Sequence, residues 1–350
     1  MKRTLLAAAL LLSACATAQT PTQPVAVDPA AAGWNASALA EVVAYVADKK
    51  TTGFLIIQDR KVIYEHNWPL GPGSETFAST FVHGAAPGGA LLEDVASQQK
   101  SFVAMLAAIA IDKGLLDFSK PVTAYLGPGW SKASPEQEAA ITVRNLMEMN
   151  SGLTERLAYE AAPDTKFFYN TPAYAVMKPV LEAASKQSLD AITHDWLTEP
   201  AGMADSGWRK RPGAMADVGN PTGLVTTPRD TAIFGQLVMD GGVATSGKRI
   251  VSKMQIDAMF APAKTNPAYG RLWWLNGGAW SAAPGPNAPR TEGALIPGAP
   301  SDLVAAQGAQ DRKLYIVPSR KLIVVRMGQA VPDRAFNEKL WVLLLKAAPK

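Results

Sequence analysis

From Asn35 to Lys49 the apolar positions Leu39, Val42, Val43 and Val46 recur at helical spacing behind an asparagine suited to capping. They predict an amphipathic helix. Two strand-like runs follow, Gly53–Gln58 and Lys61–Glu65, joined as a hairpin through Asp59-Arg60. The far end of the chain mirrors this order. Lys313–Val317 and Leu322–Met327 form a second hairpin through Pro318-Ser319-Arg320-Lys321, and Asp333–Ala347 is a second amphipathic helix carrying Leu340, Trp341, Leu343, Leu344 and Leu345. Strands at both ends, each flanked by a terminal helix, predict an α+β fold of sandwich type: one antiparallel sheet made from the two ends of the chain and covered by those helices.

The middle is then an insertion. Between Leu91 and Gly235 the pattern is mostly helical, over Ser97–Lys113, Thr142–Met149, Ala173–Ser185, Leu189–Trp196 and Arg229–Met239, with Pro and Gly as punctuation. Residues 34–85 with 240–350 are expected to form the sheet domain and 86–239 the helical domain. The Gly, Pro and Ala-rich stretch 276–300 reads as a long loop, a feature often tied to function.

The first residues follow another pattern. Lys2 and Arg3 precede a short apolar run, Leu5–Leu12, the length of a secretory signal and too short to span a bilayer. Export to the periplasm is expected. Leu12-Ser13-Ala14-Cys15 is similar to the bacterial lipobox, which makes Cys15 a candidate lipidated first residue and residues 1–15 the leader; Ala16-Thr17-Ala18 is a competing small-x-small cleavage site. Residues 16–33, rich in Thr, Pro and Ala, read as a flexible tether to a membrane anchor. Cys15 is the single cysteine of the chain, so neither an internal disulfide nor a cysteine-based metal site is available. The formal charge of +4 falls to about +2 without Lys2 and Arg3, which leaves no basic field for nucleic acid.

The chemistry open to the chain is narrow. His66, His83 and His194 stand in no catalytic or metal-binding spacing, and neither G-x-S-x-G nor H-E-x-x-H occurs. No metal or cofactor is expected. Ser97 and Lys100 lie three apart at the start of the most apolar helical run, Phe102 to Ile111. That spacing puts them on one helical face, where the amine can reach the hydroxyl. Burial disfavours the charged form of a lysine and lets it accept the serine proton, while the helix N-terminus offers free N–H groups to a developing oxyanion.

With those residues in view, the chain resembles the serine beta-lactamase-like hydrolases, the group that includes class C beta-lactamases, DD-peptidases, related esterases and 6-aminohexanoate-dimer hydrolases. The resemblance runs from Trp34 to Ala347. It rests on Ser97-Gln-Gln-Lys100, Gly114-Leu-Leu-Asp117, Ile141–Leu146, Asn150-Ser-Gly-Leu153, Phe168–Tyr174, Gly223–Thr227 with Arg229-Asp230, and Asn266–Gly270 running into Leu272–Asn276. It implies the beta-lactamase/transpeptidase-like fold.

The resemblance also implies roles. Ser97 is the acylated nucleophile, Lys100 its activator, and Tyr169 the proton-shuttling phenol of a Y-x-N motif. Here the motif reads Tyr169-Asn170-Thr171, so either the Thr171 hydroxyl or the Asn170 amide serves as the third polar group. The cation-x-Gly motif of the family corresponds to Ala306-Gln307-Gly308-Ala309. That assignment makes Gln307 and Gly308 substrate-binding candidates and the backbone N–H groups of Ser97 and Ala309 the oxyanion hole, with the cation missing. Trp273 and Trp274, with Tyr269 and Trp280, are expected to line an apolar cleft, with Asn276 and Asp302 as polar neighbours. The expected partner is a small ester, amide or beta-lactam substrate. Esters or amides without a carboxylate suit the missing cation. The alternatives are a beta-lactamase or DD-peptidase, and a noncatalytic envelope sensor that keeps the fold.

Overall fold

The structure is a computed structural model that describes residues 24–285, 289–330, 332–333 and 335–349. Residues 1–23, with the leader, Cys15 and the first part of the expected tether, lie outside the described residues. Within them the strands are β1 (Val25–Ala26), β2 (Thr51–Gln58), β3 (Lys61–Asn67), β4 (Val82–Ala85), β5 (Leu91–Asp94), β6 (Gly207–Lys210), β7 (Thr222–Thr226), β8 (Trp274–Leu275), β9 (Trp280–Ala282), β10 (Arg290–Glu292), β11 (Val304–Gly308), β12 (Arg312–Val317) and β13 (Leu322–Gly328).

β2, β12 and β13 are buried along almost their whole length, which is why they read as continuous apolar runs rather than alternating ones. The β2–β3 hairpin turns through Asp59 and Arg60, both at positive φ (47° and 62°), the primed two-residue geometry that matches strand twist. The β12–β13 hairpin closes through a short 3₁₀ turn, Pro318–Arg320, and Lys321 at φ 47°. The two hairpins meet at the middle of a seven-stranded sheet of order β1-β3-β2-β13-β12-β11-β8, in which β13 pairs antiparallel with β2. This is the expected sheet built from both chain ends.

The opening helix, Ala36–Asp48, is capped by the Asn35 side chain on Ala38 N–H at 2.9 Å. It packs with the closing helix, Phe336–Ala347, on one face of the sheet, and the Asn35 N–H donates to the Ala347 carbonyl at 2.9 Å. Residues 24–33, expected to be part of a flexible tether, are held on the sheet instead. β1 pairs parallel with β3, whose outer edge would otherwise leave backbone groups unmatched, and Trp34 donates its indole N–H to Gln58 at 2.7 Å.

The middle of the chain departs further from expectation. The helix Pro228–Met239, assigned by its position to the helical domain, lies on the other face of the sheet against β12, β13 and β2. Its amphipathic face fits a sheet as well as it fits a helix, so periodicity could not choose. A second sheet, four-stranded and of order β4-β5-β7-β6, joins strands of the insertion to β4 just before it, and the stretch 276–300 contains the β9–β10 hairpin. The Ser97–Lys113 element begins as a 3₁₀ turn, Ala96–Gln98, and continues as the serine helix, Gln99–Asp112, buried from Gln99 to Ala110. Phe102 stacks on Phe234 of the Pro228–Met239 helix at 3.9 Å and 14°. The serine helix is thus wedged between the sheet layer and the other helices. Among the described residues no helix is long and apolar enough to cross a membrane.

Candidate active site

Three contacts set the serine turn at the end of β5. Val95 N–H donates to the Leu224 carbonyl (3.0 Å), Ala96 N–H to the Asp94 carboxylate (2.8 Å), and Gln98 N–H to the Val95 carbonyl (3.1 Å). Between them Ala96 takes a left-handed conformation, φ 50°, which costs a non-glycine residue about 1–3 kcal/mol and is typical of functional turns. Asp94 is itself held by Arg211, which forks onto both carboxylate oxygens at 2.7 and 2.8 Å in a fully buried pair. Gly223 of β7 makes room for that carboxylate, since a Cβ there would meet Asp94 Oδ2 at 1.9 Å.

One turn on, the Lys100 Nζ lies 3.0 Å from Ser97 Oγ and 3.3 Å from Thr171 Oγ1, with the rings of Tyr169 and Tyr174 each 4.7 Å away. Lys100 is 2% exposed and makes no ion pair with a carboxylate among the described residues. Burial drives its pKa well below the ordinary lysine value, and the cations of Arg211 and Lys178 push the same way. Both effects favour the neutral amine, the form that can accept a proton.

Tyr169 hydrogen-bonds Ser97. Burial raises its pKa to about 12, with that bond opposing the rise, so the phenol keeps its proton through the neutral range. Its ring stacks on Trp274 at 5.5 Å and 21° and meets Tyr269 edge-on at 6.0 Å. Ser97, Lys100, Tyr169 and Thr171 therefore converge from two segments, the start of the serine helix and the turn leading into the helix Thr171–Ala175.

Other sequence-derived candidates turn elsewhere. Asn170 caps the helix Thr171–Ala175, accepting from Ala173 N–H (3.1 Å) and donating to the carbonyls of Leu153 (2.8 Å) and Thr154 (2.9 Å). Its amide is used up, and the Thr171 hydroxyl is the group that reaches Lys100. Trp273 is fully buried between Phe234 and Phe260 and lines no cleft, whereas Trp274, its neighbour, backs Tyr169. Gln307 accepts from Lys313 at 2.8 Å. Lys313 shares its sheet face with Tyr315, which packs on Trp341 of the closing helix, so the Gln307 side chain points away from Ser97. Asn276 pins the Ile296–Pro300 loop, and Asp302 accepts from Ser319, both as structural residues. Tyr269 is buried behind Tyr169, and Trp280 lies under Arg290.

Gly308 does reach the serine turn. Its Cα comes so close that a Cβ would lie 2.2 Å from the Val95 carbonyl oxygen and 3.3 Å from Gln98 N. The end of β11, with Ala309 just beyond it, thereby flanks Ser97. Ala306, the position that the resemblance matches to the family's cation, is buried within β11.

Tyr169 and Thr171 open onto a cavity of about 1040 Å³ walled by Leu157, Trp208, Val218 and Lys178. Three residues on this side are absent from the sequence-derived candidates: Tyr174, Lys178 and Arg211. A signal existed for two of them, because Thr171, Tyr174 and Lys178 recur at helical spacing. Arg211 carried none, since only the fold brings it to Asp94.

A family model described as Beta-lactamase matches residues 40–348. None of the curated proteins compared with the chain matches it in sequence. Among solved structures, a protein assigned as a beta-lactamase from Bacteroides dorei superposes with a TM-score of 0.68 at 14% identity, over 90% of this chain and 99% of its own. The D-alanine carboxypeptidase AmpC from Burkholderia cenocepacia gives 0.62 at 17% identity, over 89% and 99%. A protein assigned as a 6-aminohexanoate-dimer hydrolase from Bacillus anthracis gives 0.61 at 16%, over 86% and 80%. At these identities the likeness to the solved structures is one of fold.

Proposed function

Because this chain belongs to the Beta-lactamase family, we propose that it is a serine hydrolase that opens an ester or amide bond through an acyl-enzyme formed on Ser97. One observation carries the reading: a buried amine, Lys100, lies 3.0 Å from the Ser97 hydroxyl with no carboxylate to hold its proton. In the first step Ser97 Oγ attacks the carbonyl carbon and its proton passes to Lys100. The oxyanion is received by the N–H groups of Ser97 and Ala309. Tyr169 then relays a proton to the leaving alcohol or amine as the carbon–heteroatom bond breaks. In the second step water attacks the ester on Ser97, its proton returns through the same groups, and the acid departs.

The substrate class that suits the site is an ester or amide without a carboxylate beside the scissile bond. Supporting this, Ala306 is a buried methyl where the family carries a cation, and Gln307 is turned to Lys313. The cavity beside Tyr169 and Thr171 gives room for a bulky acyl or leaving group. We also propose export to the periplasm with Cys15 as a lipid-bearing first residue, a reading supported by the Lys2-Arg3 pair and the short apolar run before it. The mass of the mature N-terminus tests it: a diacylglyceryl group on Cys15 agrees, and a free terminus after Ala18 refutes the lipid.

Intact-mass spectrometry after incubation with a fluorophosphonate and with a panel of beta-lactams tests the enzyme. Covalent labelling of Ser97 by the fluorophosphonate and turnover of simple esters are the expected results. Fast nitrocefin turnover or cleavage of a D-Ala-D-Ala peptide replaces the substrate class with that of a beta-lactamase or DD-peptidase. Penicillin labelling without turnover makes the protein a sensor, and no labelling by any reagent makes it a binding scaffold.

A further inference from the structure

A second buried lysine lies behind the first. Lys178, on the helix Met177–Ser185, is 6% exposed and its Nζ donates to Asn220 Oδ1 (2.6 Å), the Thr222 carbonyl (2.8 Å) and Thr222 Oγ1 (2.9 Å). Three acceptors match the three donors of an ammonium, and two of them, the Asn220 amide oxygen and the Thr222 carbonyl, can only accept. The Trp208 ring lies 4.6 Å from the same nitrogen, a further contact that favours the cation. Lys100, by contrast, meets only two hydroxyls, each able to donate as well as accept. Both amines sit on Tyr174, at 4.7 Å (Lys100) and 5.9 Å (Lys178) from its ring centroid, so they lie within about 11 Å of one another. Inside protein their repulsion over that range is little screened by salt.

Charged groups around the pair leave this arrangement intact. Arg211, forked onto Asp94, also faces both lysines and pushes each toward its neutral form, so the charge of Lys178 adds to that of Arg211 at Lys100. Glu182, one turn beyond Lys178, spends an oxygen on Leu189 N–H at 2.8 Å. Glu155, Arg156, Asp190 and Asp217 stand round the cavity wall.

We propose that on the acid side of neutrality the two lysines carry one proton between them, held on Lys178 by its three acceptors, and that this charge keeps Lys100 neutral for the attack of Ser97. Lys178 is then a positioning residue for charge: it touches no reacting atom, and it acts on the base through the Tyr174 ring. Burial, aided by Arg211 and opposed by Asp94 and Glu182, draws Lys178 down to about 7, so its influence is greatest on the acid side of neutrality. This inference rests on the serine-hydrolase reading and deepens it.

The test is the pH dependence of fluorophosphonate labelling at Ser97 in the full chain, followed by intact mass, with circular dichroism as the check on folding. Removing the charge in Lys178→Gln is expected to raise the midpoint of the acid limb by about one pH unit, and to cut labelling below that midpoint about tenfold. Lys178→Arg keeps the charge and is expected to keep the wild-type midpoint. Asn220→Asp leaves Lys178 in place but pairs it with a carboxylate, and is expected to move the midpoint upward as well. An unchanged midpoint in folded Lys178→Gln or Asn220→Asp overturns the proposal while leaving the hydrolase reading intact. Failure of the wild-type protein to label at any pH overturns both.

Discussion

Gly308 and Val95 touch backbone to backbone, with no space between them for even a methyl group: a Cβ on Gly308 would lie 2.2 Å from the Val95 carbonyl oxygen. The carbonyl belongs to the turn that presents Ser97, and the glycine ends the strand that leads into Ala309, whose N–H is the proposed second oxyanion donor. Gly308→Ala must therefore push the strand from the turn. We expect a loss of about 1–3 kcal/mol in stability, as for overpacking elsewhere, and a drop of at least about tenfold in fluorophosphonate labelling. Wild-type labelling by the variant would show that Ala309 N–H takes no part.

Lys100→Met separates function from stability. The variant is expected to lose labelling by about 10²–10⁴-fold, the range for removal of a general base. It is also expected to melt at a higher temperature at neutral pH, because the unfolded chain no longer has to give up a proton to bury this side chain. A fall in both quantities would indicate that Lys100 is charged in the fold.

Tyr169→Phe removes one oxygen from a ring already fixed by Trp274 and Tyr269. Stability is expected to change by less than about 1 kcal/mol, while ester turnover falls by about 10²-fold or more. With the wild-type phenol titrating at about 12, no second limb is expected in the rate profile between neutrality and about pH 11. Stopped-flow hydrolysis of an activated ester gives both numbers.

Arg211→Met leaves Asp94 buried and uncompensated beneath the serine turn. Breaking such a pair from one side costs about 3–5 kcal/mol, whereas Asp94→Asn with Arg211→Met is expected to recover part of it. Urea titrations of the two single variants and the double variant measure the coupling; additivity would mean that the pair is not formed.

The pH dependence of stability follows from the buried lysines. Burial draws Lys178 to about 7 and Lys313 to about 8, against about 10.4 for a lysine in the unfolded chain. Across the interval the unfolded chain binds more protons, so stability rises with pH from about 7 to about 10, each group adding a slope of up to about 1.4 kcal/mol per pH unit. Above about pH 10 the sign reverses, since the buried phenols of Tyr174, Tyr269 and Tyr315, raised above their ordinary value, stay protonated only in the fold. Denaturant melts at pH 7, 9 and 10.5 check this, and Lys313→Met is expected to flatten the rise.

What the sequence made legible was local. Asn35 with its apolar spacing, Asp59-Arg60 between two apolar runs, and Ser97 three before Lys100 each act within a few residues, where spacing fixes geometry. What stayed hidden depends on which surface an element meets. The Pro228–Met239 helix has an apolar face that says nothing of whether a sheet or a helix will cover it. Trp273 and Trp274 are adjacent and equally aromatic, yet one is sealed between two phenylalanines and the other backs the candidate proton relay. Asn170 and Thr171 are both able to meet Lys100 until the backbone makes the first a cap. Lys178 was passed over because nothing in its neighbourhood marks a lysine as buried; its three acceptors come from a segment more than forty residues on.

The pairing of β13 with β2 also bears on how the molecule is made. Lys321 and Asp59, which meet where the two hairpins abut, are separated by 262 positions along the chain. During synthesis the first hairpin must wait, its inner edge bare, until nearly everything else has left the ribosome. Such long-range closure is slow and leaves adhesive backbone uncovered meanwhile. The nascent protein is therefore a natural client for holding chaperones, and a ribosome that stalls before Leu322 releases a product whose open edge invites aggregation.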